Sequence, residues 1–301
     1  MIQRRSMAFF KSDVLQIHQK GVGIFMMNYL LPVLLVAGIG LIAGLGLAIA
    51  SILMAVPVNQ KAQELREALP GNNCGACGYS GCDGYAEALA NGAKNTGLCT
   101  PGGPHTAEKL ASILGVEAAS VTRSAAVVRC RGTADCAKKS YDYQGADNCR
   151  MAAQLGGGPI DCKYGCIGLG DCVRACAYDA IRICNGVSVI DPAKCKACRM
   201  CVTACPKNLI HIASIEHDRA DVLCRNQDKG GVTRKKCTAG CIGCMKCTKV
   251  CPEGAVTVTD FVASVDPTKC TGCGACAEAC PTGCIQILRG SKGFPTSHSA
   301  S

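Results

Sequence analysis

The sequence predicts an α+β protein: one long apolar helix near the N-terminus, then small cysteine-rich units of short hairpins and helices, the last two a tandem repeat. Three observations predict it. Residues 29–58 carry no charge, cysteine accounts for 27 of 301 residues, and the segment from Cys149 to Asn208 recurs at an offset of 75 residues as Cys224 to Gly283.

The apolar segment reads YLLPVLLVAGIGLIAGLGLAIASILMAVPV from Tyr29 to Val58. That is long enough to cross the hydrocarbon core of a lipid bilayer as a single tilted transmembrane helix. A cleaved signal peptide has a shorter apolar stretch and a small-residue cleavage site, so a retained anchor is expected. Gly40 and Gly44 form a G-x-x-x-G pair, which lets a partner helix approach closely, although glycine is common in membrane helices generally. Arg4, Arg5, Lys11 and Lys20 precede the span and only Lys61 and Arg66 closely follow it. Taken literally, that balance exports the C-terminal part. A translation start at Met26 or Met27 removes the upstream charges and puts the cysteine-rich part in the cytoplasm, at the inner membrane. An N-terminal mass of the native protein beginning at Met1 contradicts that start.

Composition narrows the rest. Tryptophan is absent and aromatics are 4%, so no core of large side chains is available. Cysteine at this density signals disulfides, zinc or iron–sulfur clusters. The formal charge of +10 counts every thiol as neutral. Four thiolates around a cluster leave roughly −2 per site, so five or six clusters cancel the excess and nucleic acid is not an expected partner.

After the span, residues 59–73 read as a short charged helix or linker ending at Pro70 and Gly71. Cys74, Cys77, Cys82 and Cys99 follow as C-x2-C-x4-C plus a distant cysteine, with Gly75, Gly78 and Gly81 between them. The glycines let a loop fold tightly around a metal core. This 4Fe-4S domain is expected over 74–103. A connecting region, 104–148, shows helical character in AEKLASILG and a short strand in SAAVV.

The repeat carries the strongest signal. Cys195 to Cys205, Cys241 to Cys251 and Cys270 to Cys280 are complete C-x2-C-x2-C-x3-C runs, each followed by Pro. In the bacterial two-cluster ferredoxin pattern, three cysteines of a run hold one cluster and the fourth ligates the other. Cys241, Cys244, Cys247 and Cys280 are therefore expected at one cluster, and Cys270, Cys273, Cys276 and Cys251 at its neighbour. Cys195, Cys198, Cys201 and Cys176 make the matching site in the first copy. There the remaining run departs, with Leu169 in place of Cys244 and Ala177 in place of Pro. Cys166, Cys172 and Cys205 then need a fourth ligand, and Cys162 is the nearest.

Cys130, Cys136, Cys149, Cys184, Cys224, Cys237 and Cys284 remain. They are buried free thiols packing as small hydrophobes, or some of them make a sixth cluster from Cys130, Cys136 and Cys149 with Cys224 or Cys237. Disulfides do not suit a reducing cytoplasm.

NCGACGYSGC, then YGCIGLGDCVRAC, then two ferredoxin-like modules behind one membrane helix resemble the B subunit of the Rnf complex, a membrane ferredoxin:NAD oxidoreductase coupled to ion transport. The resemblance spans nearly the whole chain from about Met27, and the order of motifs is more specific than any one motif. It implies that the chain takes electrons from reduced soluble ferredoxin and passes them to flavin and iron–sulfur subunits of a complex that reduces NAD and moves Na+ or H+. NAD and flavin would bind companion subunits, and no strand-associated dinucleotide fingerprint is present here. The chain itself breaks no substrate bond and has no catalytic residue. Two other readings compete: an iron–sulfur relay of a hydrogenase-linked membrane complex, and a zinc-rich binding or cluster-storage scaffold. The expected organisation is an extension over 1–28, the anchor over 29–58, repeats over 149–223 and 224–288, and a flexible tail over 289–301, with five 4Fe-4S clusters or six. Arg225, Lys229, Arg234, Lys235 and Lys236, with Lys246 and Lys249, make a basic stretch. It reads as a solvated loop or as a docking site for an acidic ferredoxin. His211 and His217 show no metal-ligand spacing.

Overall fold

A computed structural model describes residues 30–54 and 59–289. The chain divides between Val58 and Asn59 into two compact units. The first is helix α1, Leu30–Leu53, with 24 residues and a mean hydropathy of 2.6, about 36 Å long at 1.5 Å per residue. Leu34, Leu41, Ile42, Leu47 and Ile52 are all exposed. A helix that is apolar on every side and exposed along its length is suited to lipid as its solvent. The upstream cations, Met26, Met27, residues 55–58 and the tail beyond Arg289 lie outside the described residues.

The second unit begins with a helical layer: α2 (Gln60–Ala68), α3 (Cys82–Ala90), a 3-10 turn (Thr96–Leu98) and α4 (Gly103–Leu114). The Asn59 side chain caps α2 by accepting from the Ala62 N–H at 3.3 Å. Leu65, Leu69, Tyr85, Leu89 and Leu110 close its core, each contributing about 1.5–3 kcal/mol by burial. Of the two sequence readings of residues 59–73, a short charged helix or a linker, the helix forms over Gln60–Ala68, and its Leu65 packs in one core with Cys82 and Cys99.

Two modules of one design follow. The first runs β1 (Ser124–Val128), α5 (Cys149–Gln154), α6 (Asp171–Arg174), β2 (Ile181–Cys184), β3 (Val187–Ile190), α7 (Met200–Ala204) and β4 (Ile210–Ser214). The second runs β5 (Arg219–Val222), α8 (Gly230–Lys236), α9 (Lys246–Val250), β6 (Val256–Thr259), β7 (Val262–Val265), α10 (Ala275–Glu278) and β8 (Ile285–Leu288). In each, the outer strands pair antiparallel, Ser124 opposite Ser214 and Arg219 opposite Leu288. The middle strands form a hairpin, Ile181 opposite Ile190 and Val256 opposite Val265.

Strand pairing moves the repeat boundaries. β1 lies in the stretch read as connecting region, and β5 lies inside the segment assigned to the first repeat, yet each is the edge strand of a module. The reason is an insertion. The 75-residue offset aligns Cys149 with Cys224, whereas the strands put Ala126 level with Ala220 and Cys130 level with Cys224, 94 residues apart.

Candidate metal centres

The cysteine loops fold by the same local rule. The second residue after the first cysteine of a run takes left-handed backbone angles: Gly168 at φ 83°, Gly243 at φ 64° and Gly272 at φ 72°, with Ala197 doing so at φ 52°. Glycine reaches that region without a Cβ penalty. The loop then closes tightly, Ala197 N–H turning toward Cys195 Sγ at 3.5 Å, and neighbouring strands add further donors. Ala126 N–H donates to Cys195 Sγ at 3.3 Å, Ala220 to Cys270 at 3.4 Å, Ala263 to Cys241 at 3.4 Å and Ala255 to Cys251 at 3.3 Å. Such donors stabilise thiolate charge and set cluster potentials.

Four quartets of thiols are legible from their mutual influence. Burial, then Cys82, Cys74 and Cys77, raise the pKa of Cys99. Burial, with Cys195, Cys198 and Cys176 among the neighbouring thiols, pushes Cys201 up to about 12. Burial, then Cys241, Cys244 and Cys280, push Cys247 up to about 11. Burial, then Cys270, Cys251 and Cys273, raise Cys276. Four thiolates gathered out of water repel one another, and a cationic core relieves that repulsion.

The remaining cysteines group differently from the sequence expectation. A cavity is lined by Cys149, Cys166, Cys172 and Cys205. Cys149 takes the place expected for Cys162, because the insertion after Cys130 brings α5 against the run that lacks a second cysteine. Asp171 fixes it there, accepting from the Cys149 N–H at 3.0 Å and the Arg150 N–H at 3.2 Å. Arg174 in turn donates to the carbonyls of Leu169 at 3.0 Å and Asp147 at 2.6 Å.

Cys162 lines a second cavity with Cys130, Cys224 and Cys237. Asn226 Nδ2 donates to Cys162 Sγ at 3.5 Å. A methyl group at Gly132 would lie 3.3 Å from Cys237 Sγ and 3.7 Å from Cys130 Sγ, so the missing side chain keeps the space between them open. Burial pushes Cys224 up to about 11 and Cys130 higher. Of the sixth set read from sequence, Cys130, Cys224 and Cys237 converge, while Cys149 belongs to the other cavity. Cys136 does not line this one; its carbonyl accepts from the Thr238 N–H at 3.0 Å. The sequence signal for Cys162 is its pairing with Cys237 in the repeat, and for Cys149 the missing cysteine at Leu169.

Among the described residues, no three His, Cys, Asp or Glu side chains converge on a single ion. Three cysteine sets, those of Cys149, Cys162 and Cys241, instead line cavities, which suits a core of several atoms. Cys184 accepts from Arg182 Nε at 3.2 Å. Cys284 is fully buried, its Sγ 3.6 Å from Cys280 Sγ. Hydrogen bonding with Cys284 lowers the pKa of both Cys280 and Cys241.

Neighbouring quartets touch. Cys74 raises the pKa of Cys198, and the helical layer is fastened to the first module where Asn72 donates to the Tyr178 hydroxyl and Thr100 Oγ1 to the Ala197 carbonyl at 3.3 Å. Cys172 acts on Cys201. Cys166 N–H donates to Cys130 Sγ at 3.4 Å, and Cys241 N–H to Cys224 Sγ at 3.3 Å. Elsewhere the basic stretch is partly spoken for: Lys236 pairs with Asp228 at 2.8 Å and Arg225 donates to the Asn208 carbonyl. His211 Nε2 lies 2.8 Å from the Asp221 carboxylate.

Residues 69–101 match a family of Fe-S cluster domains, residues 188–211 a 4Fe-4S binding domain and residues 240–284 a 4Fe-4S dicluster domain. The chain is 38% identical to the B subunit of the ion-translocating oxidoreductase complex of Methanosarcina acetivorans, over 77% of this chain and 88% of that one. It is 40% identical to the B subunit of the Na(+)-translocating ferredoxin:NAD(+) oxidoreductase complex of Acetobacterium woodii, over 80% and 72%. With the proton-translocating counterpart of Clostridium ljungdahlii it shares 39% identity, over 80% and 85%. An apolar helix, a first cysteine loop and two ferredoxin modules in this order, with similarity along most of both chains, make this an iron–sulfur protein of the family of B subunits of ion-translocating (Rnf) oxidoreductase complexes.

Proposed function

We propose that this chain is the membrane-anchored electron relay of a ferredoxin:NAD oxidoreductase complex coupled to Na+ or H+ transport, and that it carries six 4Fe-4S clusters in a single file. The ligand sets in order are Cys74, Cys77, Cys82 and Cys99; Cys176, Cys195, Cys198 and Cys201; Cys149, Cys166, Cys172 and Cys205; Cys130, Cys162, Cys224 and Cys237; Cys241, Cys244, Cys247 and Cys280; Cys251, Cys270, Cys273 and Cys276. The observation that carries the reading is the contact between successive sets. Where a backbone N–H of one set's cysteine donates to a sulfur of the next, as Cys166 does to Cys130 and Cys241 to Cys224, no insulating layer separates them.

A bound cluster supplies a one-electron couple. The chain's own residues do the rest. Cysteine sulfurs hold each site, backbone donors adjust its potential, and burial keeps water away. Reduced ferredoxin is the electron source, companion subunits receive the electrons, and the cysteine-rich part faces the cytoplasm. A zinc scaffold would need thiols meeting at one point, whereas three of these sets line cavities.

The test is anaerobic iron and acid-labile sulfide per purified chain. Six sites give about 24 irons with matching sulfide, five give about 20, and zinc without sulfide overturns the relay.

A further inference from the structure

Of the 27 cysteines, two are exposed, Cys244 and Cys273. Each is the second cysteine of its run in the second module, so each brings one proposed ligand residue to the surface. Their surroundings differ in charge and in apolar area.

Around Cys244 the surface is apolar and cationic. Met245 is 51% exposed and Phe261 is 47% exposed. Phe261 lies on the cluster loop itself, since a Cβ on Gly243 would come within 3.0 Å of the Phe261 carbonyl oxygen. Phe261 also holds φ at 60°, a left-handed conformation that a bulky side chain adopts only under strain. The first module has Gly186 at this point of its hairpin, which needs no such strain. Lys246 and Lys249 project exposed from α9, beside Met245, and α8 packs its first residue on the Ile242 carbonyl, bringing the exposed Lys229 to the edge. The acids nearby in sequence, Glu253 and Asp260, are outnumbered.

Around Cys273 the cleft is lined by Asp218, Glu278 and Arg289, and no large apolar side chain stands exposed among its lining residues. The first module lacks the port altogether. Leu169, Gly170, Asp171 and Gly186 occupy the positions of Cys244, Met245, Lys246 and Phe261. A large exposed apolar residue held in a strained turn next to a ligand sulfur, with lysines around it, has the anatomy of a contact site: apolar centre, charged rim.

We propose that this face is where a small acidic iron–sulfur protein docks, with Met245 and Phe261 at the centre and Lys246, Lys249 and Lys229 at the rim, and that electrons enter the chain at Cys244. The proposal rests on the ferredoxin reading above and adds its place. The step is one electron: the reduced carrier is oxidised by one, this chain is reduced by one at the Cys241, Cys244, Cys247 and Cys280 set, and no bond or proton moves. Entry there is next to the end of the file, leaving the Cys270 set as a side branch.

The experiment uses the full-length, cluster-loaded protein and stopped-flow absorbance with reduced ferredoxin across a range of salt. Lys246→Glu with Lys249→Glu should slow second-order uptake by about tenfold at low salt, and the difference should vanish as salt screens it. Phe261→Asn, which tolerates the same backbone, should slow uptake at every salt concentration. Lys269→Glu, beside the Cys273 run, should leave it unchanged. Equal iron content and equal photochemical reduction establish that the variants are intact. If ferredoxin reduces the wild type and the α9 variants alike, or if Lys269→Glu is the variant that slows, the docking site is wrong. If ferredoxin fails to reduce a wild type that light reduces fully, the ferredoxin reading itself falls.

Discussion

The two ferredoxin modules share strand order, hairpin placement and most of their cysteine spacing, yet the proposed ligand sets complete their first metal site by different means. The second module takes Cys244 from within its own run. The first has Leu169 there and draws Cys149 from the inserted α5, positioned through Asp171 and Arg174. Position in space, not position in the run, decides which sulfur belongs to a site. The insertion also frees Cys162, which in a plain repeat would match Cys237, to sit beside it in the cavity between the modules. What reads as a defect in one copy is therefore coupled to an extra site between the two.

The largest expected effect tests whether both modules depend on metal to fold. Their cores are small, with Ala126, Ile181, Leu209 and Ile210 in one and Ala220, Val222, Val256 and Ile285 in the other, and thiols make up much of the rest. Anaerobic iron chelation should remove most β-strand circular dichroism while the helical signal of α1 in detergent persists. Chelation should also proceed faster as pH falls, because burial raises thiol pKa values here and protons compete with iron for the sulfurs. Retention of the strand signal without iron would mean that packing alone holds the modules.

Next in size is the ligand exchange. Cys149→Ala should lose the signal of one cluster in electron paramagnetic resonance and up to about four irons, and adding Leu169→Cys should restore both by giving the first module the second module's arrangement. If Cys149→Ala keeps full iron while Cys162→Ala removes the Cys166 site, the sequence expectation holds instead.

The smallest effect sharpens the comparison at Cys284, whose counterpart in the first module is Leu209. A thiol donating to Cys280 and Cys241 stabilises negative charge on the second module's site. Cys284→Ala should lower that site's reduction potential by about 40 mV, the one-electron equivalent of about 1 kcal/mol for a hydrogen bond. A redox titration followed by electron paramagnetic resonance reads this directly, and an unchanged potential removes Cys284 from the tuning.

The apolar run, the cysteine count and the runs from Cys195, Cys241 and Cys270 determined the architecture from sequence alone. These signals are local: a helix needs only its own residues to be apolar, and a C-x2-C-x2-C loop needs only its own spacing to wrap a metal core. α4 and β1 were legible for the same reason. Tertiary structure decided what sequence spacing cannot carry: that β1 and β5 are edge strands of separate modules, that Cys149 lines the cavity of Cys166 while Cys162 lines that of Cys237, and that the short charged helix after the apolar run packs against the first cysteine loop. Each depends on which segments meet after the chain has turned back on itself, and an insertion shifts the sequence register without shifting the fold. A repeat offset reports ancestry of residues, whereas a metal site requires four sulfurs within reach of one core, and only the folded backbone supplies that distance.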